Sequence, residues 1–334
     1  MKKRYFSFLL TCYILNISCL KASAFSTLND NQANTKKKVY VLFFGGQSNA
    51  LGWGYQQYLE DTKNPLAKPQ KDIEMLYYIG GNGYLPENTL LPLQSGNSNT
   101  IVKPLPNHYP DLKVVPISRF GPELSFARTV KDQLDFGESK LVIIKFAQGG
   151  TSLYKDWLPD GTPTAAADGK FYKNFQAVVS RGLAAITTKY PDYEVKILGM
   201  GWVQGESDAL DSKGAEYQKN LENFIADLRL TYGSQFPFVF SKISPQQIEG
   251  GKPNLIEQWE IVRNAQEAVA KSVKRTATTE TLGDQYSVSK GFSEFQYHYT
   301  SPALLQIGKD LGNALVKIIK KERLIAKSKK KAKS

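Results

Sequence analysis

Residues 38–44 read KVYVLFF and are stopped by Gly45-Gly46, and no other stretch so narrows the folds open to this chain. A run of β-branched, aromatic and aliphatic residues has no polar face to leave in water, so it predicts a strand covered on both sides. Residues 140–146 (KLVIIKF), 195–203 (VKILGMGWV) and 236–243 (FPFVFSKI) have the same character, and a fifth strand is expected near 276–282. Helical apolar spacing falls between them, over 122–134, 171–189, 214–232 and 257–273. A last helix is expected from Ser301-Pro302, read as a cap followed by proline at the first helical position, with Leu304, Ile307, Leu311, Leu315 and Ile318 on one face. Strands alternating with long helices predict an α/β fold. It is a single three-layer α/β/α domain around a central parallel sheet of about five strands, its active site beyond the carboxyl ends of those strands. Residues 51–120 break the alternation. They are rich in Gly, Pro, Asn and Tyr and read as a functional insertion. There is no internal repeat and no second domain boundary.

The amino terminus reads as an export signal over residues 1–24. Lys2, Lys3 and Arg4 precede a mostly apolar stretch, and Ala22-Ser23-Ala24 offers a small-x-small cleavage site. An uncleaved anchor and a lipoprotein at Cys19 are the weaker alternatives, the latter because Asn16 stands where an aliphatic residue is wanted. Residues 25–37 read as a linker. Both cysteines, Cys12 and Cys19, fall inside the signal, so the mature chain has neither disulfide nor thiolate chemistry. With only His108 and His298, a multi-histidine metal site is excluded.

The net charge of +12 sits at the two ends. Residues 1–38 carry +6 (seven Lys/Arg against Asp30) and residues 317–334 carry +8 (nine Lys/Arg against Glu322), leaving about −2 for 39–316. A nearly neutral body without a basic stripe excludes nucleic acid as a partner. The lysine-rich tail, 317–334, reads as a solvated, disordered end or as a weak contact to an anionic envelope surface.

Four segments are able to carry chemistry. Gly46-Gln47-Ser48-Asn49 follows the first strand, where glycine lets the backbone turn sharply and presents a serine at the sheet edge. A serine capping a turn is the plainer alternative. His298 precedes the last helix. A serine nucleophile needs a base, that base is nearly always histidine, and His108 lies in the Pro-rich insertion. At the end of the third strand, 202–208 (WVQGESD) offers Gln204 as an amide donor to an oxyanion, or else a loop whose Glu206 and Asp208 satisfy backbone donors. After the second strand, Gly149-Gly150-Thr151 offers backbone N–H groups, though paired glycines alone are weak evidence.

Together these segments resemble the SGNH-hydrolase superfamily, in particular its sialic-acid 9-O-acetylesterase and acetylxylan esterase branch. The likeness rests on Gly46-Gln47-Ser48-Asn49, Gly121-Pro122-Glu123 with Phe126-Ala127, Gly149-Gly150-Thr151, Trp202 with Gln204-Gly205-Glu206 and Asp208, and His298-Tyr299 with Ile307-Gly308. It spans residues 38–316. It implies a flavodoxin-like sheet, Ser48 as nucleophile, His298 as base, and oxyanion donors from the Ser48 N–H, Gly149 or Gly150, and Gln204. The implied reaction removes O-acetyl groups from carbohydrate through an acetyl-enzyme, with no metal or organic cofactor. One position departs from the pattern: Phe295 stands where the family has the aspartate that orients the histidine. Glu294 is the nearest substitute in sequence. Glu280, Asp284 and a plain Ser-His dyad are the alternatives. A non-catalytic carbohydrate-binding member of the fold and an SGNH lipase or thioesterase are the rival functions. The sequence leaves the particular sugar and the oligomeric state open.

Overall fold

The computed structural model describes residues 36–79, 89–95, 119–161, 167–233, 235–289 and 297–331. The expected signal, residues 25–35 of the expected linker, His108, Glu294 and Phe295 lie outside these residues.

Among the described residues nine strands and eight α-helices follow one another. The strands are β1 (Lys38–Gly46), β2 (Gly54–Tyr55), β3 (Gln70–Ile79), β4 (Leu91–Leu93), β5 (Arg119–Phe120), β6 (Lys140–Ala147), β7 (Glu194–Val203), β8 (Phe238–Ser241) and β9 (Thr276–Thr279). The helices are α1 (Ser48–Leu51), α2 (Gln56–Asp61), α3 (Glu123–Gln133), α4 (Lys170–Lys189), α5 (Glu206–Leu210), α6 (Gly214–Thr231), α7 (Pro253–Ser272) and α8 (Ser301–Lys331). Seven strands form one sheet in the order β4-β3-β6-β1-β7-β8-β9, with every pair parallel except β3–β4. β2 and β5 form a separate antiparallel ribbon.

The sheet has seven strands rather than about five because the insertion supplies two. In β3, Ile73 and Met75 are buried while Asp72 and Glu74 alternate with them, a mixed pattern unlike the uniformly apolar central runs. β3 lies between β6 and the antiparallel edge strand β4, with Ile73 and Met75 buried on one face and Leu76 on the other.

β1 shows why its sequence has no polar face. Val39, Val41 and Phe43 pack into the cluster that holds Phe175 of α4, Phe224 of α6 and Trp259 of α7. Leu42 and Phe44 point the other way, into the cluster of Phe126 of α3 and Leu304, Ile307 and Leu311 of α8. Strand alternation thus feeds two helical layers from one run of residues. The contact of α8 with α3 is close. A Cβ on Gly308 would lie 2.1 Å from the Pro122 carbonyl oxygen, so glycine is required where the backbones meet.

Two helix starts differ from expectation. Pro122 is the N-cap of α3 rather than a residue of its first turn, and Ser301 is the first residue of α8 rather than its cap. The Ser301 hydroxyl accepts the Tyr55 N–H at 3.0 Å and so ties α8 to the β2 ribbon. The basic tail is also ordered differently: residues 317–331 continue α8, with Arg275 paired to Glu322 at 2.7 Å. Among the described residues no helix is long and apolar enough to cross a membrane.

Candidate active site

Register brings the motifs together. Gly46 at the end of β1 pairs with Ala147 of β6 on one side and Val203 of β7 on the other. The three strands therefore end at one level, and the segments that follow them meet although they are far apart in sequence. The Gln47 N–H donates to the Val203 carbonyl (3.0 Å), and the Gln148 N–H donates to the Gly46 carbonyl (3.1 Å). Chain direction along the sheet switches here, β6 and β7 flanking β1, which is where parallel α/β sheets place ligand sites.

Gly46 makes the turn into α1 with φ +136°, and a Cβ there would lie 2.0 Å from the Val203 carbonyl oxygen. Ser48 is the first residue of α1 and is buried but for 8% of its surface. Its N–H, at a helix start, has no acceptor within the helix. A Cβ on Gly149 would lie 3.6 Å from the Ser48 Cβ, so the Gly149 backbone passes directly beside the serine. Gly150 follows with φ +67°. The carboxyl end of α1 is held by the fully buried Lys145 of β6, which donates to the Leu51 carbonyl (3.0 Å) and to Glu123 of α3 (2.6 Å). Burial pushes the Lys145 pKa down, and the Glu123 carboxylate opposes that shift.

Asn49 joins this segment to the histidine. Its side-chain amide donates to the Tyr297 carbonyl at 2.8 Å, and its Oδ1 accepts the Tyr299 N–H at 3.1 Å. The residue after Ser48 therefore grips the residues on both sides of His298. Gln247 donates to the same Tyr297 carbonyl at 2.6 Å. Glu206, fully buried at the start of α5, accepts from Asn49 (2.6 Å) and from Gln247 (3.1 Å). Burial raises the Glu206 pKa and these donors counter it. The histidine backbone is pinned again by the Ser289 N–H, which donates to the His298 carbonyl at 2.9 Å beside an antiparallel bridge between Val288 and Tyr299.

The His298 ring stacks on Trp53, with centroids 4.2 Å apart and planes 16° from parallel. The Arg119 guanidinium lies over the same indole at 4.2 Å and over Tyr55 at 4.9 Å. Burial, and then the nearby Arg119 charge, push the His298 pKa down to about 4, so the imidazole is neutral at pH 7.

Gln204 is at the site, but its amide is engaged. Nε2 donates to Asp208 (2.6 Å) and to the Thr151 carbonyl (3.3 Å), and Oε1 accepts the Tyr217 hydroxyl (3.0 Å). In this arrangement Gln204 is a loop clasp, and a donor role at the oxyanion requires exchange of the longer bond. Asp208 also accepts the N–H groups of Leu153 (2.8 Å) and Tyr154 (3.0 Å), which is the backbone-satisfying role the sequence allowed it. Burial pushes its pKa up to about 6 against these donors. Glu280 is committed elsewhere, to Arg263 (2.8 Å) and Lys242 (3.1 Å). Asp284 opens a 3₁₀ turn, Asp284–Tyr286. No group of acidic and histidine side chains suited to a metal ion occurs among the described residues.

Sequence reasoning missed Asn49, Gln247, Trp53 and Arg119 as parts of the site. Asn49 closes the Gly46-Gln47-Ser48-Asn49 motif, but only the long-range pairing to 297–299 reveals its role. Gln247 carries no local signal.

A serine at the switch point of a parallel sheet, a glycine backbone beside it and a half-buried histidine between two residues held by Asn49 thus meet at one end of an α/β/α fold. The chain belongs to the family described as carbohydrate esterase, sialic acid-specific acetylesterase, whose sequence profile matches residues 36–317. It is a carboxylic-ester hydrolase acting on O-acetylated carbohydrate. No curated protein matches it by sequence. Among solved structures it is similar to NanS, at 18% identity over 86% of this chain and 100% of that one, with a TM-score of 0.59. It is similar also to an Arabidopsis thaliana protein, at 20% identity over 83% and 98% of the two chains, with a TM-score of 0.56. A carbohydrate acetylesterase from Xanthomonas citri aligns at 16% identity over 82% of this chain and 55% of that one, with a TM-score of 0.50. At these identities the likeness is one of fold.

Proposed function

We infer that Ser48 and His298 carry out the deacetylation. The supporting observation is Asn49, which follows the serine and hydrogen-bonds the residues on both sides of the histidine. His298 takes the Ser48 hydroxyl proton as Oγ bonds to the acetyl carbonyl carbon. The oxyanion is met by the N–H groups of Ser48 and of Gly149 or Gly150, with the Gln204 amide joining if it leaves Thr151. The sugar oxygen departs with the proton from His298. Water, deprotonated by the same ring, then releases acetate.

Ser48→Ala and His298→Ala should each lower turnover of an aryl acetate by about 10³-fold or more with melting temperature unchanged. Near-normal turnover in the Ser48 variant sinks the assignment. Acetate release from O-acetyl sialic acid, acetylated xylan and acetylated peptidoglycan then distinguishes the sugar. Glu294 as the group orienting His298 is part of this reading, and Glu294→Gln tests it through turnover.

The chain is further proposed to be exported and cleaved near Phe25, which intact mass of the native protein checks; added diacylglycerol at Cys19 would identify a lipoprotein instead. Lys317, Lys320, Lys321 and Lys327 are exposed on α8 around Leu324, and support a weak contact with an anionic envelope surface. Salt-sensitive cosedimentation with phosphatidylglycerol vesicles tests that contact.

A further inference from the structure

A histidine that shuttles a proton must hold its ring plane steady while the proton enters and leaves. Carboxylates usually do this from the ring edge, through Nδ1. A further support is built here against the ring face. His298 and Trp53 are near-parallel at a 4.2 Å centroid separation, close to the limit of ring stacking. Trp53 is itself held. Its neighbour Gly54 pairs with Phe120 in the β2–β5 ribbon, and the Tyr55 N–H is bound by Ser301, three residues after the histidine. Arg119, buried to all but 6% of its surface, lies over both Trp53 and Tyr55. A contact chain thus runs His298, Trp53, Arg119, Tyr55, and its aromatic members arise from the segment that leaves the nucleophile turn.

We propose that Trp53 is a positioning residue for the His298 imidazole, fixing its plane by stacking, so that the nucleophile segment carries the support of its own base. This rests on the reading of His298 as the base. The indole presents a flat surface that the ring can slide along but not tilt from, and backbone contacts through Asn49 and Ser289 fix where the ring begins. Face and backbone contacts together set the ring plane before substrate arrives. The charged groups facing this assembly among the described residues are Arg119 of β5 and, one amide away through Asn49, Glu206 of α5.

The test uses the full chain and an aryl acetate. Trp53→Leu removes the flat surface and should lower kcat about tenfold with KM nearly unchanged, while Trp53→Phe, which keeps a ring, should stay within about threefold of wild type. Equal kcat in wild type and Trp53→Leu overturns the proposal, as does a Trp53→Phe enzyme as impaired as the leucine variant at the same melting temperature. Should the leucine variant fold poorly, wild type supplies a second readout. A protonated imidazole quenches a stacked indole, so the fluorescence lost on replacing Trp53 by Phe should fall with pH at the same midpoint as the acid limb of kcat. A Trp53 signal that ignores this midpoint also overturns it. His298→Ala separates the two levels of inference. Activity retained there removes His298 as base, whereas activity lost there but kept in Trp53→Leu removes Trp53 alone.

Discussion

The two halves of the site are held by different physics. The nucleophile half, residues 46–51, continues a strand buried on both faces, and its position follows from backbone hydrogen bonds to β6 and β7 and from one glycine conformation. The base half, residues 297–300, belongs to no sheet larger than a single bridge, and buried side-chain amides and a stacked indole hold it. Backbone ladders are insensitive to most single side-chain changes, whereas a network of side chains loses a member with each substitution. The serine should therefore be robust and the histidine fragile.

The largest expected effect after loss of Ser48 or His298 is at Gln204, which follows the end of β7. If its amide turns to the oxyanion, Gln204→Ala lowers kcat by about 10²–10³ with little change in KM. A change in melting temperature alone would leave it as the clasp of Asp208 and Thr151. On the nucleophile half, Lys145→Met should destabilise the fold by about 3–5 kcal/mol, because Glu123 is left as a buried charge. Replacing Glu123 by Leu in the same chain should recover part of that loss in denaturant titration, and no recovery would mean that packing, not charge, fails. Asn49→Ala, which removes the side chain holding the base half, should reduce kcat about 10–100-fold while thermal stability changes less than in Lys145→Met. The reverse ranking would break the contrast between a robust serine and a fragile histidine.

The smallest effect is the pH limb. His298 is pushed down to about 4 by burial and by Arg119, against an ordinary value of 6.5, and it must be neutral to act as a base. Turnover should thus climb with pH through about 4 and be level by pH 6. The same depressed pKa makes the unfolded chain the better proton binder between 6.5 and 4. This group's contribution to stability is therefore complete above pH 6.5 and is lost as pH falls through that window. A limb near 6.5 would show a carboxylate holding the imidazolium, with Glu294 the first candidate. Arg119→Gln should raise the limb.

Much of the site was legible because strand ends are. The uniformly apolar runs at 38–44, 140–146 and 195–203 marked the three central strands, and Ser48, Gly149 and Gln204 follow them immediately. β3, beside the edge strand β4, has no uniformly apolar run, since Asp72 and Glu74 alternate with the buried Ile73 and Met75 in a stretch whose Gly, Pro and Asn content reads as loop. The lysine-rich end of α8 was read as disordered from charge alone, yet it continues a helix already nucleated by the buried face of Leu304, Ile307, Leu311 and Leu315.

By itself the sequence determined the layered α/β architecture, the order of its elements and the serine and histidine that stand at their ends. These follow from which residues must leave water and from short-range backbone preferences. Tertiary structure alone decided that Asn49 would span from the serine to the residues flanking the histidine, that Gln204 would spend its amide on a neighbouring loop, and that Trp53 would lie flat against His298. Those contacts join residues as many as 250 positions apart, and their geometry depends on sheet register and helix docking rather than on any local pattern.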